Sequence, residues 1–263
     1  MTMQSQSPWR GKFLWILVAG SLILFFAIGT RQSFGLFLAP MSKELGWGRE
    51  VFSLAIALQN VIWGLTQPFA GAIADRWGAG RVLVGGALLY IAGLAVMATT
   101  TTQFGLHLGA GGMIGMALSA VSFAVVFGAV ARAAPPERQG LALGITGAVG
   151  SAGQFAIVLG AQGLILAEGW RTALFVAMGL IVLILGLAVP LRGRPGAGAG
   201  PVVAPQTMGA ALNEAFAHRG FWLLNAGFFV CGFHVTFIAT HLPAYVTDLA
   251  LPGWVVGASL SLV

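Results

Sequence analysis

Charged side chains are scarce in this sequence. Of its 263 residues only 8% are Asp, Glu, Lys or Arg, whereas 58% are hydrophobic. Soluble domains carry about 25% charged residues, so a soluble chain of this composition would lack the polar groups to cover its surface. The composition therefore predicts an all-α, multi-pass integral membrane protein whose main surroundings are the lipid bilayer.

Several groups that support catalysis are also missing. The single cysteine, Cys231, has no second cysteine with which to form an intramolecular disulfide. The sequence has no Gly-x-x-x-x-Gly-Lys-Ser/Thr loop for nucleotide binding, and no Cys/His spacing that is typical of a metal site. We therefore expect no catalytic residues, no metal and no cofactor, and we expect that the chain is not an enzyme.

The net charge of +6 does not indicate nucleic-acid binding. The basic residues stand singly between apolar runs and form neither a basic stripe nor a platform with aromatic residues. Their positions are better explained by membrane topology, because Lys and Arg accumulate in cytoplasmic loops. We therefore expect no nucleic-acid partner.

Long apolar runs are what the sequence has in abundance. A helix needs about 20 largely apolar residues to cross a bilayer. Seven runs qualify, at about 13–39, 51–73, 82–100, 104–131, 140–166, 172–190 and 221–245. An eighth run begins near Pro252 and stops at Val263, which is too short to cross, so we expect the chain to end inside a helix.

The spacing of these runs predicts two units joined by a linker. Residues 1–190 would form a six-helix N-terminal bundle whose first helix is retained and not cleaved as a signal peptide. Residues 191–220 open with a Gly-, Pro- and Ala-rich stretch typical of a flexible linker, followed by a stretch that favours a short surface helix. Residues 221–263 would begin a C-terminal bundle with helix 7 and a truncated helix 8.

The loop charges predict the orientation. With the N-terminus in the cytoplasm, nine basic residues lie inside: Arg10, Lys12, Arg76, Arg81, Arg132, Arg138, Arg192, Arg194 and Arg219. Three lie outside, namely Lys43, Arg49 and Arg171. This excess favours a cytoplasmic N-terminus, and we expect a bacterial inner (plasma) membrane.

The loop between the second and third spans reads "GAIADRWGAGR". Gly78 permits a tight chain reversal, and Asp75 lies where a carboxylate favours the positive end of the third helix. Arg76 and Arg81 can pair with Asp75 or with carbonyl groups at helix ends. The loop is either a simple topological anchor or a charged latch that holds helix ends together in one conformation.

This loop resembles the pattern Gly-x-x-x-Asp-Arg-x-Gly-x-x-Arg of the major facilitator superfamily (MFS), with its fixed positions at Gly71, Asp75, Arg76, Gly78 and Arg81. The layout of six spans, a long linker and further spans is similar to the same family. The resemblance implies the MFS fold, built from two six-helix bundles of inverted three-helix repeats. This chain would be the first bundle and the first one to two helices of the second.

Three further stretches match less strictly and indicate one branch of this family. "SFGLFLAPM", "KELGWGREVFSLA" and "ERQGLALGITGAVGSAGQ" resemble the monocarboxylate-porter and oxalate/formate-antiporter branch. Unlike many drug exporters of the family, the fourth span has no arginine and the fifth has no proline. The branch implies a cation toward the end of the first span, and Arg31 lies in a comparable place.

Arg31 is the one basic residue of the thirteen that we place inside a span. Charges within spans usually face a bundle interior or an aqueous cavity and mark the transport path. No span of the given sequence supplies an acidic partner, while Ala27 and Gly35 on the same predicted face leave room beside the guanidinium. Arg31 therefore either binds an anionic substrate, pairs with an acid beyond Val263, or extends to the membrane surface.

Four neutral polar residues complete the predicted substrate site. His234 in the seventh span is a candidate for a coupling proton or a substrate hydrogen bond. Gln59 and Asn60 in the second span and Gln154 in the fifth are amide candidates. The simpler alternative for each is a hydrogen bond to a neighbouring helix that only stabilises packing.

Together these features predict a secondary transporter that works by alternating access as a monomeric unit. Its substrate would be a small organic anion, a mono- or dicarboxylate, moved with protons or in exchange for another anion. One alternative is an MFS transporter of neutral or cationic compounds of the efflux type. Another is a membrane sensor or membrane enzyme that has kept the fold.

Overall fold

The computed structural model describes residues 9–192 and 208–262, and within these ranges the chain is helical throughout, with no strand. The predicted all-α class is therefore confirmed. The predicted linker lies largely outside the described residues, which resume at a short helix, Met208–Ala217, within the stretch expected to form one.

The helices follow the apolar runs. They are α1 (Trp9–Gln32), α2 (Gly35–Leu45), α3 (Arg49–Trp77), α4 (Ala79–Thr99), α5 (Gln103–Leu106), α6 (Ile114–Val121), α7 (Phe123–Ala133), α8 (Gln139–Leu187), α9 (Met208–Ala217), α10 (Arg219–Asp248) and α11 (Gly253–Ser261). A π-helical segment, His107–Met113, joins α5 to α6, and a 3₁₀ turn, Pro136–Arg138, precedes α8.

Five segments of the described chain are long and apolar enough to cross a membrane: Gly11–Gln32, Ala79–Thr99, Gln103–Ala133, Pro136–Leu187 and Arg219–Asp248. The predicted second span, α3, is not among them. Its amides Gln59, Asn60 and Gln67 lower its hydropathy, as expected for a helix that faces a polar interior as well as lipid.

The first span is a bent helix and not the continuous helix expected from its hydropathy. α1 ends at Gln32 and α2 begins at Gly35. At the bend the Ser33 hydroxyl donates to the carbonyl oxygen of Thr30 at 2.7 Å. Such local side-chain bonds compete with the helical pattern and commonly bend helices. The bend comes directly after Arg31.

The fourth span is also interrupted, and the fifth and sixth spans are joined through a single non-helical residue. In the fourth, the π-helical segment and the extended backbone at Ser122 (φ −99°, ψ −171°) separate three helical pieces. α8 covers both the fifth and sixth spans, and Gly169 (φ +84°, ψ 167°) reverses the chain between them. Only glycine adopts that φ without strain, so this one residue makes the sharp turn possible.

The bundle has two distinct ends. We define the far end by the chain reversals at residues 46–48, 100–102, 169 and 249–252, and the near end by those at Gly78, residues 134–135 and Arg192. One apolar core runs between them, with fully buried members from α1, α4, α6 and the second half of α8. α10 contributes one buried residue, Ala244, to this core and meets the bundle near the far end.

Candidate functional site

Arg31 lies in the last turn of α1, where its side chain is half-buried and faces α3. Its Nη2 donates to Oδ1 of Asn60 at 2.7 Å. Its guanidinium also lies over the Trp63 ring, with Cζ 5.2 Å from the ring centroid, within the range of a cation–π contact. The bend after Arg31 lets α1 present this side chain to α3 and not to lipid.

Both partners of Arg31 are themselves fixed. Asn60 Nδ2 donates to the carbonyl oxygen of Ile56, one turn earlier in α3, at 2.7 Å. Trp63 Nε1 donates to Ser122 Oγ at 3.3 Å, at the break between α6 and α7. Three spans therefore hold the guanidinium in one place, as a preorganised binding group requires.

The guanidinium keeps unused hydrogen-bonding capacity. Its Nε–H group is buried and has no acceptor among the described residues. A buried donor without a partner costs about 1–3 kcal/mol. Arg31 also meets no carboxylate in the described ion pairs. Because a guanidinium binds carboxylates through paired N–H donors, this arrangement is suited to accept an anion.

The two small residues predicted to leave room beside Arg31 make contacts with other helices instead. The Ala27 carbonyl oxygen accepts a hydrogen bond from the Tyr90 hydroxyl at 3.3 Å. Gly35 lies beyond the bend, where a Cβ would come 1.9 Å from the carbonyl oxygen of Ala239. Gly35 therefore lets α10 approach closely, and the expectation that it gives space to Arg31 is wrong because the helix changes direction between the two.

The predicted amides divide into two roles. Gln59, adjacent to Asn60 in sequence, points to another side of α3 and donates from Nε2 to the carbonyl oxygen of Ala110 at 2.7 Å. Ala110 belongs to the π-helical segment, so this bond ties the second span to the fourth. Asn60 contacts Arg31, whereas Gln154 is half-buried in α8 without a hydrogen bond among the described residues.

His234 lies on α10 and is exposed. Its Nδ1 contacts the carbonyl oxygen of Val230, one turn earlier, at 2.8 Å. Its ring also meets Phe233 edge-on, at 6.0 Å between centroids. The structure therefore does not bring His234 together with Arg31 in the conformation it describes.

The charged loop at the near end is organised by a residue that the sequence pattern did not suggest. Asp75 pairs with Arg132, at the end of α7, with Nη1 3.0 Å from Oδ1. The expected pairing with Arg76 or Arg81 is not what the structure shows: Arg76 instead lies 6.0 Å from the Trp77 ring centroid. The pair joins the second span to the fourth because α7 ends beside α3.

The loop makes a second attachment, to the end of the sixth span. The Gly80 N–H donates to the carbonyl oxygen of Leu191 at 3.2 Å. Gly78, with φ +93°, makes the reversal, and Gly71 has no neighbouring atom near the position of a Cβ. The loop is thus bonded to both neighbouring spans at the near end.

Comparison with known proteins agrees with this architecture. A family model described as "Major Facilitator Superfamily" matches residues 20–263. Monocarboxylate transporter 11 of Mus musculus is 28% identical over 265 residues, which cover 99% of this chain and 58% of that protein. The oxalate:formate antiporter of Oxalobacter formigenes is 24% identical over 255 residues, covering 94% of this chain and 58% of that protein.

The chain thus spans little more than half the length of these relatives. A shorter match, to multidrug resistance protein MdtH of Yersinia enterocolitica, is 35% identical over 98 residues, or 37% of this chain and 23% of that protein. Among solved structures, a mutant of the peptide transporter POT in complex with alafosfalin superposes with a TM-score of 0.60 at 18% identity, covering 89% of this chain and 48% of that one.

Proposed function

Because the chain belongs to the Major Facilitator Superfamily, we propose that it is the first part of a secondary transporter that moves a small organic anion by alternating access. The family is one of transporters, and the prediction that the chain is not an enzyme is confirmed. The chain is a multi-pass integral membrane protein. The site that binds the anion in this proposal is Arg31, together with Asn60 and Trp63.

One observation supports the anion most directly. Arg31 is held by a neutral amide and an indole, and by no acid among the described residues, so its charge is not neutralised by those contacts. A bound carboxylate would supply both the missing counter-charge and an acceptor for the buried Nε–H. The names of two relatives, a monocarboxylate transporter and an oxalate:formate antiporter, fit the same substrate class.

Alternating access is supported by the contrast between the two ends. At the far end α10 packs on α2, and Arg49 makes a two-pronged ion pair with Asp248, with both N–O distances 2.6 Å. At the near end the first part of α10 is exposed. With the near end in the cytoplasm, as the basic residues favour, this is a conformation closed to the outside of a bacterial inner membrane.

The other predicted residues take secondary roles in the proposal. His234 and Gln154 would reach the substrate only when α10 and the remainder of the second bundle move. Gln59 supports the site through the π-helical segment. Asp75 and Arg132, with Gly71, Arg76, Gly78 and Arg81 around them, would form the near-end latch that a change of conformation must rearrange. A monomer is the functional unit, and protons or a second anion provide the coupling.

The experiment uses the full-length protein in proteoliposomes. We expect uptake of radiolabelled formate or oxalate in wild type, loss of uptake in Arg31→Gln and partial uptake in Arg31→Lys, which keeps the charge but not the paired donors. Arg138→Gln, which removes a basic residue from the near-end surface, is the matched control and should leave uptake unchanged. Undiminished uptake in Arg31→Gln would exclude Arg31 as the anion site.

A second candidate, export of neutral or cationic compounds, is favoured by the short match to MdtH. In that case Arg31 pairs with an acid in the remainder of the protein. The same proteoliposomes distinguish the two functions: a lipophilic cation such as ethidium would be transported, formate and oxalate would not, and Arg31→Gln would destabilise the protein by leaving that acid unpaired.

A further inference from the structure

A groove at the near end lies outside the proposed transport site. It has a volume of about 690 Å³ and lies between the start of α1 and the end of the sixth span. Its lining residues are Gly11, Lys12, Trp15, Val189, Pro190 and Arg192. None of the six is acidic, and two are cations.

Both cations are available to a ligand. Lys12 and Arg192 are exposed, and neither takes part in the ion pairs of the described residues. Arg192 also lies against the start of α4. A Cβ on Gly80 would lie 2.7 Å from Arg192 Cγ, and the neighbouring Leu191 carbonyl accepts the Gly80 N–H. The arginine is therefore anchored where the third span begins.

The groove is apolar on one side. Trp15 lies one turn beyond Lys12 on the same helix face and is 69% exposed, and Val189 is 50% exposed. Tryptophan favours the membrane–water interface, where its ring contacts both headgroups and acyl chains. A ligand that fits must therefore be amphipathic, with a negative group beside Lys12 and Arg192 and an apolar part beside Trp15.

We propose that this groove binds the headgroup of an anionic phospholipid, with its phosphate between Lys12 and Arg192 and its acyl chains along Trp15 and Val189. Basic pockets between membrane helices commonly bind such headgroups. Arginine is well suited to phosphate because its planar fork donates two parallel hydrogen bonds. The bound lipid would fasten the start of the first span to the end of the sixth.

The test measures binding of short-chain phosphatidylglycerol to the purified full-length protein in detergent, by native mass spectrometry. Each surface cation contributes about 1 kcal/mol to such binding. Since 1.4 kcal/mol is about tenfold in affinity, Lys12→Gln with Arg192→Gln should weaken it about 30-fold. Arg138→Gln with Arg219→Gln removes two near-end charges outside the groove and should change the affinity less than about twofold.

Three further measurements separate the possible ligands and control for a folding defect. Phosphatidylcholine of the same chain length should bind more weakly, and inorganic phosphate should not compete at equal concentration. Lys12→Arg with Arg192→Lys keeps both charges and should retain binding. Unchanged affinity in the double glutamine variant, or equal competition by inorganic phosphate, would overturn the proposal.

Discussion

The far end and the near end of the bundle are packed in different ways. At the far end, helices from the first and second predicted units meet directly: α2 contacts α10, and α8 contacts α11 through Gln162, whose Nε2 donates to the Gly253 carbonyl at 3.0 Å. At the near end, the described ion pair between Asp75 and Arg132 joins helices of the first unit only.

The small residues show the same difference. At the far end a Cβ on Gly35 would strike the backbone of Ala239, whereas at the near end Gly140 and Gly144 of α8 have no atom within 4 Å of a Cβ. Among these glycines of the described residues, tight backbone contact between the units thus occurs at the far end. This difference fits the alternating-access mechanism proposed above, in which the near-end surfaces of α8 would be covered when the far end opens.

Of the substitutions proposed, Gly35→Ala should have the largest effect on the packing of the far end. The new Cβ meets backbone, which cannot yield as a side chain can, and overpacking costs about 1–3 kcal/mol. We expect the population with a closed far end to fall about fivefold to 150-fold. The measurement is oxidative crosslinking of Arg49→Cys with Asp248→Cys in full-length protein carrying Cys231→Ser.

Gly179→Ala is the matched control, because no atom lies within 4 Å of a Cβ at that position. It adds the same methyl group to a helix interior and should leave the crosslinking rate unchanged. If Gly35→Ala crosslinks as fast as the protein with Gly35 intact, the close contact at Ala239 does not hold the far end shut.

A smaller effect is expected at the ion pair between Arg49 and Asp248. Both side chains are about half exposed, so solvent screens their attraction. A double-mutant cycle on the thermal stability of the full-length protein, with Arg49→Ala and Asp248→Ala, should give a favourable coupling that shrinks as salt is added. The cycle of Lys43→Ala with Asp248→Ala should give none, and equal coupling in both cycles would contradict a specific pair.

The smallest predicted effect is on the stability that Glu44 contributes. This residue joins the end of α2 to the turn at Gly169. Its Oε2 accepts a hydrogen bond from Trp170 Nε1 at 2.5 Å, and its Oε1 pairs with Arg171. These hydrogen bonds, Trp170 first and Arg171 second, lower the pKa of Glu44 below its ordinary value. The charged form is therefore favoured in the folded protein.

Because the pKa of Glu44 is lower in the folded state, the stabilisation that its charged form provides is fully present above the pKa of unfolded glutamate, about 4.3. It is then lost as the pH falls through the lower, folded value. The melting temperature of wild type should exceed that of Glu44→Gln at pH 7, and the difference should vanish in more acidic solution. A difference that stays constant with falling pH would exclude the charge of Glu44 as its source.

Sequence patterns predicted the helical class from apolar runs that repeat along the chain, and the family mainly from one loop motif at residues 71–81. Apolar length placed the spans, and Arg31 was identified because a charge in such a run is costly. Asn60 was a candidate for the same reason. These inferences need no knowledge of how one helix is rotated against another.

Contacts between helices were harder to predict. Trp63, Ser122 and Arg132 were not predicted as partners because each depends on helix rotation and on local breaks. The bend at Ser33 and the π-helical segment leave only a weak signal, a serine and a run of glycines, in otherwise apolar sequence. Arg132 Nη1 lies 3.0 Å from Asp75 Oδ1 in space, but the two residues are 57 positions apart in sequence.

The most direct test of the proposed anion site is equilibrium binding of radiolabelled oxalate and formate to the purified full-length protein. Asn60→Asp places a carboxylate where the amide oxygen now lies 2.7 Å from Arg31 Nη2, with almost no change in shape. We predict that wild type binds at least one of the two anions, and that Asn60→Asp and Arg31→Gln both lose binding. Retained binding in either variant would contradict an anion site at Arg31.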